Sequence, residues 1–292
     1  MKSYIKLKKI EFIDILSFII LTIIFIFIVF PFYNAIITSL ISSKSYTHAP
    51  VQLIPKKIIL DNYRFIFGNS RILTGYISSI IVSMCGVCYG MLLTMTLAYG
   101  LSRDKFPGKR FFLILMIVTM YFSGGLLPTY ILMKNLGFID SRLGIILLLG
   151  VSPFNVIILK NSIENLPESL EEAACIDGAN SIRIFAQIVV PLMKPMIATF
   201  SLFIAVAYWN EWFWSMLLLN NKNKYTLQLV LRSIVLEAED SSMLKTGAIA
   251  DTIYADGIKM AAVVVTMLPI MLVYPFVQKY FAKGLLIGAV KM

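Results

Sequence analysis

The chain has 292 residues, of which 59% are hydrophobic and 14% are charged, and its mean hydropathy is +0.83. Soluble domains average about 45–50% apolar and about 25% charged residues, so this composition indicates an integral membrane protein rather than a large soluble core. The net charge of +10 is attributed to Lys and Arg beside membrane spans. Because no soluble basic domain is present, we expect membrane lipids and no nucleic acid as partners.

Six stretches are long and apolar enough to cross a membrane, for which about 20 residues are needed. They lie near 15–39, 75–101, 110–132, 142–163, 195–219 and 258–281. Backbone groups in lipid have no water to bond, so each span is expected to be a helix. The predicted fold is therefore an all-α integral membrane protein with six transmembrane helices, forming a single domain over residues 1–292.

Short basic segments set the expected orientation. Residues 101–110, here called the basic loop, hold four Lys or Arg residues. With six spans, both termini, the basic loop and residues 164–194 share one face. Cytoplasmic loops are enriched in Lys and Arg, so this face is predicted to be cytoplasmic. The longer loops 40–74 and 220–257 are predicted to lie outside.

Several kinds of chemistry are missing from the sequence. His48 is the single histidine, which excludes zinc motifs such as HExxH and a Ser-His-Asp triad within the membrane. Cys85 and Cys88 form a CxxC inside a predicted span, where packing between helices is favoured over a redox or metal site. No phosphate-binding G-x-x-x-x-G-K-[ST] motif occurs, so we do not expect this chain itself to hydrolyse ATP.

Residues 164–194, here called the acidic loop, are a polar stretch in an apolar chain. Pro167 suits the first position of a helix, and the glutamates after it favour the positive end of the helix dipole. Gly178 is where this helix is expected to stop, and Asn180 or Ser181 is expected to cap a second helix that Pro191 ends. The local pattern predicts a helix, a glycine turn and a helix, and an ordinary amphipathic surface loop remains the alternative.

This loop also resembles that of a known family. Glu172-Ala173-Ala174, then Gly178, then Ile188-Val189-Val190-Pro191 is similar to the EAA loop of ABC-importer permeases. Shorter matches at Phe122-Ser123-Gly124-Gly125, Trp209-Asn210-Glu211-Trp212 and Lys279-Tyr280-Phe281 resemble the carbohydrate-uptake branch, most of all its second permease subunits for polysaccharides or oligosaccharides.

The resemblance implies a type I importer fold and a set of partners. These are a homologous permease that completes a heterodimer, two cytoplasmic ATPase subunits that hold ATP and Mg²⁺, and an extracytoplasmic binding protein that delivers an oligosaccharide. The expected location is a bacterial cytoplasmic membrane. In this family the loop docks in a groove of the ATPase, so the matching positions here are expected to carry docking: Glu172, Ala173, Ala174, Ile176, Asp177, Gly178 and Ala179.

A second group of residues is a candidate for the substrate path or its gate. Ionisable residues inside a membrane are costly and usually face a cavity or a partner. Aromatic rings beside amide or carboxylate groups suit the apolar faces and hydroxyls of sugars, although the same side chains can serve helix packing. The candidates are Trp209, Asn210, Glu211, Trp212 and, in the fourth span, Asn155.

The leading interpretation is thus a non-catalytic permease subunit of an ATP-driven importer of oligosaccharides or polysaccharide fragments. An ABC importer for another solute is the first alternative. A secondary transporter is less favoured because it would need several buried ionisable residues, and Glu211 stands nearly alone. An integral-membrane enzyme is least favoured, since no cluster of His, Asp and Glu converges within the spans.

Overall fold

The computed structural model describes residues 12–55, 57–240 and 253–289, and their regular secondary structure is helical, as predicted. In chain order the α-helices are α1 Phe12–Ser39, α2 Ser43–His48, α3 Asp61–Phe67, α4 Arg71–Ser102, α5 Lys109–Tyr121, α6 Leu126–Asn135, α7 Arg142–Leu148, α8 Pro153–Glu164, α9 Glu168–Ile176, α10 Ser181–Ile184, α11 Val190–Leu192, α12 Lys194–Trp209, α13 Phe213–Leu218, α14 Leu227–Asp240 and α15 Ala255–Ala289. A π-helix, Phe185–Val189, joins α10 to α11.

Within these ranges, three continuous segments are long and apolar enough to cross a membrane, namely Phe12–Ser39, Arg71–Ser102 and Ala255–Leu272. Three further spans are possible if each of three bent pairs of helices counts as one, giving up to six. The bend is 117° between α5 and α6, 51° between α7 and α8, and 80° between Ser181–Leu192 and α12. Large apolar side chains are exposed along most of α1, which suits a lipid-facing helix.

The helix boundaries differ from the sequence prediction at three places. The predicted span 110–132 is interrupted, because α5 ends at Tyr121 and α6 begins at Leu126. The predicted span at 195–219 is two helices, because α12 ends at Trp209 and α13 begins at Phe213. The predicted loop 220–257 contains α14. Within it, buried apolar residues recur every three or four positions, as on one face of a helix: Leu227, Val230, Leu231 and Ile234.

The described residues of Met1–Gly68 and Ile234–Val265 form one compact unit. Other segments of this unit bind the C-terminal end of α1. The Ser39 carbonyl accepts a hydrogen bond of 3.0 Å from the Asn62 side-chain amide, and the Tyr254 hydroxyl donates to the Thr38 carbonyl at 2.9 Å. The Tyr46 and Tyr254 rings lie 4.9 Å apart between centroids. These contacts hold α2, α3 and the start of α15 around the end of α1.

The described residues of Asn69–Ser233 and Thr266–Met292 form the second unit, in which α4 is the central helix. Helices α7, α8 and α12 pack against it. Glycines in α4 allow these neighbouring segments to pack closely against it. A Cβ on Gly86 would lie under 3.0 Å from carbons of the Tyr208 ring, and a Cβ on Gly90 would lie 2.7 Å from the Gly150 carbonyl oxygen. Tyr208 is buried, and its hydroxyl donates to the Ile146 carbonyl at 2.6 Å.

Replacing Gly86 with Ala is expected to destabilise the protein. The added methyl group must displace the buried Tyr208 ring, and overpacking of this kind costs about 1–3 kcal/mol. The matched control is Gly100→Ala in the same helix, since a Cβ there meets no atom within 4 Å. Thermal unfolding of the detergent-solubilised variants measures both effects. Equal midpoints for Gly86→Ala and Gly100→Ala would contradict the packing role of Gly86.

Candidate functional site

The acidic loop has a well-defined local structure. Helix α9 ends in a Schellman motif, in which the Gly178 amide bonds the Cys175 carbonyl at 3.0 Å and the Ala179 amide bonds the Ala174 carbonyl at 2.9 Å. Gly178 has φ = +78°, and a Cβ there would meet no atom within 4 Å. The requirement for glycine therefore comes from the backbone conformation and not from crowding. The glycine turn predicted at this position is present.

The second helix of the loop also begins as its sequence predicts. The Asn180 side chain caps α10 by accepting a hydrogen bond from the Arg183 amide at 2.9 Å. The helical path then passes through the π-helix and ends at Leu192, one residue beyond Pro191. It meets α12 at the 80° bend. Ile184, Val189 and Met193 bury the inner face of this path in the core of the second unit.

The basic loop and the end of α4 hold the acidic loop in place. Arg103, the C-cap residue of α4, forms an ion pair with Glu171 in α9. Lys109 binds Glu164 at 3.0 Å and Asp104 at 3.1 Å between charged atoms. The two loops therefore lie at the same end of the second unit, which agrees with the expectation that they share a face.

The side chains of the acidic loop divide into inward and outward sets. Ala174 and Ala179 pack against the core, whereas Glu172, Ala173, Asp177 and Gly178 are exposed. Ile176 is 86% exposed and Ile182 is 77% exposed, so two large apolar side chains flank the glycine turn on the outer surface. Glu171 and not Glu172 makes the ion pair that ties the loop to α4. Sequence reasoning missed Arg103 as the partner because 68 residues separate the pair.

A cleft of about 270 Å³ lies on the second unit and brings two of the predicted path residues together. Asn155 comes from the first turn of α8, and Glu211 comes from the break between α12 and α13. Its complete lining is Leu149, Gly150, Ser152, Asn155, Phe203, Ile204, Ala207, Tyr208 and Glu211. An aromatic wall with an amide, a hydroxyl and a carboxylate can contact the C–H faces and hydroxyl groups of a sugar.

Glu211 has a structural role as well. Its Oε1 accepts a hydrogen bond of 2.5 Å from the Trp214 amide, in the first turn of α13. Its backbone carbonyl accepts a hydrogen bond from the Thr226 hydroxyl at 3.0 Å. The carboxylate thus caps a helix that begins within the predicted fifth span, where an unpaired amide would be costly. Glu211 both lines the cleft and stabilises the helix break beside it.

The other three members of the Trp-Asn-Glu-Trp element do not line the cleft. The buried Trp209 donates from its indole N–H to the Thr266 carbonyl at 3.3 Å. The Asn210 amide oxygen accepts from the Gln228 side chain at 3.3 Å. The Arg232 guanidinium lies 4.4 Å from the centre of a Trp212 ring. These contacts are the packing role that sequence reasoning kept as an alternative.

Sequence reasoning also missed a polar turn at the opposite end of α4. Asp140 has φ = +57° and accepts hydrogen bonds from the Asn221 amide at 2.9 Å and from Lys224 Nζ at 2.6 Å. The hydrogen bond from Lys224, with those from the backbone amides, holds the pKa of the Asp140 carboxyl below its ordinary value. The Lys224 carbonyl in turn accepts a bond from Ser78 of α4 at 2.6 Å.

Comparison with known proteins identifies the class of protein that this fold and loop define. Residues 110–287 match the family described as binding-protein-dependent transport system inner membrane component. The polygalacturonan/rhamnogalacturonan transport system permease protein YtcP of Bacillus subtilis is 42% identical over 267 residues, which cover 90% of this chain and 92% of that protein. The arabinooligosaccharides permease AraQ of Halalkalibacterium halodurans is 31% identical over 270 residues, covering 90% and 91%.

A solved structure is similar over nearly the whole chain. It belongs to a bacterial ABC transporter involved in the import of the acidic polysaccharide alginate, with a TM-score of 0.83, 30% identity and coverage of 92% of this chain and 96% of that one. The fold is therefore that of an ABC-importer permease, a multi-pass membrane component that is not itself an enzyme. The chain belongs to the family of binding-protein-dependent transport system inner membrane components, which confirms the resemblance found in its sequence.

Two substitutions at Glu211 are expected to separate its capping role from its charge. Glu211→Gln keeps an oxygen acceptor for the Trp214 amide and should preserve stability, whereas Glu211→Leu removes the acceptor and should cost about 1–2 kcal/mol, as loss of a helix cap does. Thermal unfolding in detergent measures both variants. A Glu211→Leu variant as stable as the wild type would refute the capping role.

Proposed function

We propose that this chain is the permease subunit through which an ATP-driven importer moves oligosaccharides or polysaccharide fragments across the cytoplasmic membrane of a bacterium. The observation that carries the proposal is the acidic loop, where two capped helices meet at Gly178 with exposed Ile176 and Ile182 beside the turn. Exposed apolar side chains rimmed by charge are typical of protein docking surfaces. The proposed partner at this surface is the ATPase subunit.

In this proposal residues 1–292 act as one transmembrane domain with a homologous permease beside it. Two ATPase subunits supply ATP and Mg²⁺, and an extracytoplasmic binding protein delivers the substrate. The family description, a binding-protein-dependent system, supports the last of these partners. Docking is assigned to the exposed positions Glu172, Ala173, Ile176 and Asp177, with Gly178 setting the angle between the helices and Ala174 and Ala179 seating the loop on the core.

The proposed orientation places the acidic loop, the basic loop and both termini in the cytoplasm. Contact between the two loops through Arg103 and Lys109 supports their common side. The basic residues there satisfy the preference of cytoplasmic loops for Lys and Arg. An ATPase in the cytoplasm could then reach the acidic loop directly.

The proposed substrate path includes the cleft, where Asn155 and Glu211 offer hydrogen-bonding groups and the half-exposed Phe203 offers an aromatic face. The names of the similar proteins support the proposed class of substrate. One is named for polygalacturonan and rhamnogalacturonan and another for arabinooligosaccharides, and the similar structure belongs to a transporter involved in alginate import. These are all saccharide chains, and the alginate of the similar structure is an acidic polysaccharide. Trp209, Asn210 and Trp212 are assigned to holding and gating the path, not to contacting the sugar.

Replacing Gly178 with Val is expected to uncouple ATP hydrolysis from transport while leaving membrane insertion intact. A β-branched residue at φ = +78° is strained by about 1–2 kcal/mol, so the turn must reshape and the two helices must change their angle. Gly178→Asn should retain most of the activity, because Asn tolerates this conformation. The measurements are uptake and stimulated ATP hydrolysis by the importer isolated from its native membrane.

The matched control for Gly178→Val is Gly137→Val. Gly137 has φ = +76° with no atom within 4 Å of a Cβ, so it carries the same backbone strain outside the acidic loop. Wild-type coupling in Gly178→Val, or an equal loss in both valine variants, would argue against a docking role for the glycine turn.

The substrate class is tested by transport into proteoliposomes that contain the importer isolated with its bound subunits and its binding protein. The probes are oligogalacturonides and arabino-oligosaccharides, with the free monosaccharides as controls. ATP-dependent uptake of at least one oligosaccharide, and no ATP hydrolysis by this chain purified free of other subunits, are expected. If neither oligosaccharide is transported, the proposed substrate class is rejected. If the isolated chain hydrolyses ATP, the proposal that ATP hydrolysis belongs to separate subunits is rejected.

A further inference from the structure

The end of α4 contacts both helices of the acidic loop, one on each side of Gly178. On the first side, Arg103 pairs with Glu171 of α9. On the second side, the Tyr99 hydroxyl donates to the carbonyl of Ser181, the first residue of α10, at 3.2 Å. The Tyr99 ring also lies 5.0 Å from the Phe185 ring between centroids. A displacement of either helix therefore acts on α4 directly.

Arg103 is held on three sides within this contact. Its guanidinium carbon lies 4.4 Å from the centre of the Tyr99 ring, its Nε donates to the Ser102 hydroxyl at 3.1 Å, and Nη1 meets the Glu171 carboxylate. The Arg103 side chain is 31% exposed and the Glu171 side chain is 22% exposed. Stacking and partial burial fix the planar guanidinium in one orientation, unlike a freely solvated surface pair.

Helix α4 is suited to carry such a displacement because it runs unbroken for 32 residues, about 48 Å at 1.5 Å per residue. Its middle packs on residues that line the cleft, with Gly86 against Tyr208 and Gly90 against Gly150. The direct route along the chain, from α10 through α11 into α12, instead passes a π-helix and an 80° bend. A π-helical segment and a sharp bend are hinge-like features that absorb motion.

We propose that Arg103 is a positioning residue for coupling: through its ion pair with Glu171 and its stack on Tyr99, it transfers movement of the docked acidic loop to α4 and so to the cleft. The inference rests on the proposed function, in which an ATPase moves the acidic loop. In this inference, movement of the acidic loop reaches the cleft through α4 as well as through the covalent connection to α12.

A charge-reversal cycle tests this route with a readout that needs no substrate. The variants are Arg103→Glu, Glu171→Arg and the double exchange, made in a chain whose three cysteines are replaced by Ala. Nitroxide labels at the exposed positions Leu73 of α4 and Leu127 of α6, which are 68% and 63% exposed, report the distance between these helices. The importer isolated with its ATPase is measured without nucleotide and after trapping with ATP and vanadate.

The importer without charge reversal is expected to show a shift in the label distance on trapping. Each single reversal should abolish the shift while the ATPase still co-purifies, and the double exchange should restore it. Uptake of oligogalacturonides per ATP hydrolysed should fall in both single variants and return in the double exchange. Rescue by the exchanged pair separates coupling from general destabilisation.

Arg64→Glu is the control for the charge change, because the Arg64 side chain is 79% exposed and pairs with Asp61 in the other unit. It should keep the distance shift. An intact shift in Arg103→Glu, loss of the ATPase from the single variants, or no rescue by the exchange would each overturn the role of Arg103. If trapping produces no shift even without charge reversal, the proposed ATP-driven motion itself fails, which distinguishes the two proposals.

Discussion

The close approach of α4 to the helices around it is the constraint on which the rest of the second unit depends. Helices without a hydrophobic driving force between them associate through tight packing, and small residues permit it. Gly86 accepts the Tyr208 ring and Gly90 accepts the Gly150 backbone, so α12 and the start of α8 lie directly against α4. The wall of the cleft and the base of the acidic loop are both positioned by this contact.

Breaks in the helices are the second constraint, because every freed backbone group in an apolar surrounding needs a partner. Hydrophobicity along the chain marked the apolar stretches but not the break within the predicted fifth span, since a window over 195–219 averages across Asn210, Glu211 and Trp212 without showing that α12 stops there. The signal present was one acidic residue in an apolar run. Its carboxylate caps α13, so the charge marks the start of a helix and not the middle of one.

The acidic loop was predictable in detail because its determinants are local. A positive-φ turn needs glycine at 178, and an Asn at 180 caps the following helix, so neighbouring residues alone define both features. The contacts of Arg103 with Glu171 and of Asp140 with Lys224 were not predictable in this way. They join residues 68 and 84 positions apart, and one sequence contains no information on which of its many charges meet across the fold.

The residues that line the cleft differ in how much their replacement would disturb the fold. Glu211 caps α13 and Tyr208 holds the Ile146 carbonyl, so replacing either disturbs the fold before it alters recognition. Phe203 packs edge-on against the Phe200 ring, with 5.9 Å between the ring centroids. The Asn155 side chain lines the cleft and makes no hydrogen bond within the described part of the chain. A side chain that supports no neighbouring element can vary at small cost, so Asn155 is the cleft residue whose replacement should disturb the fold least.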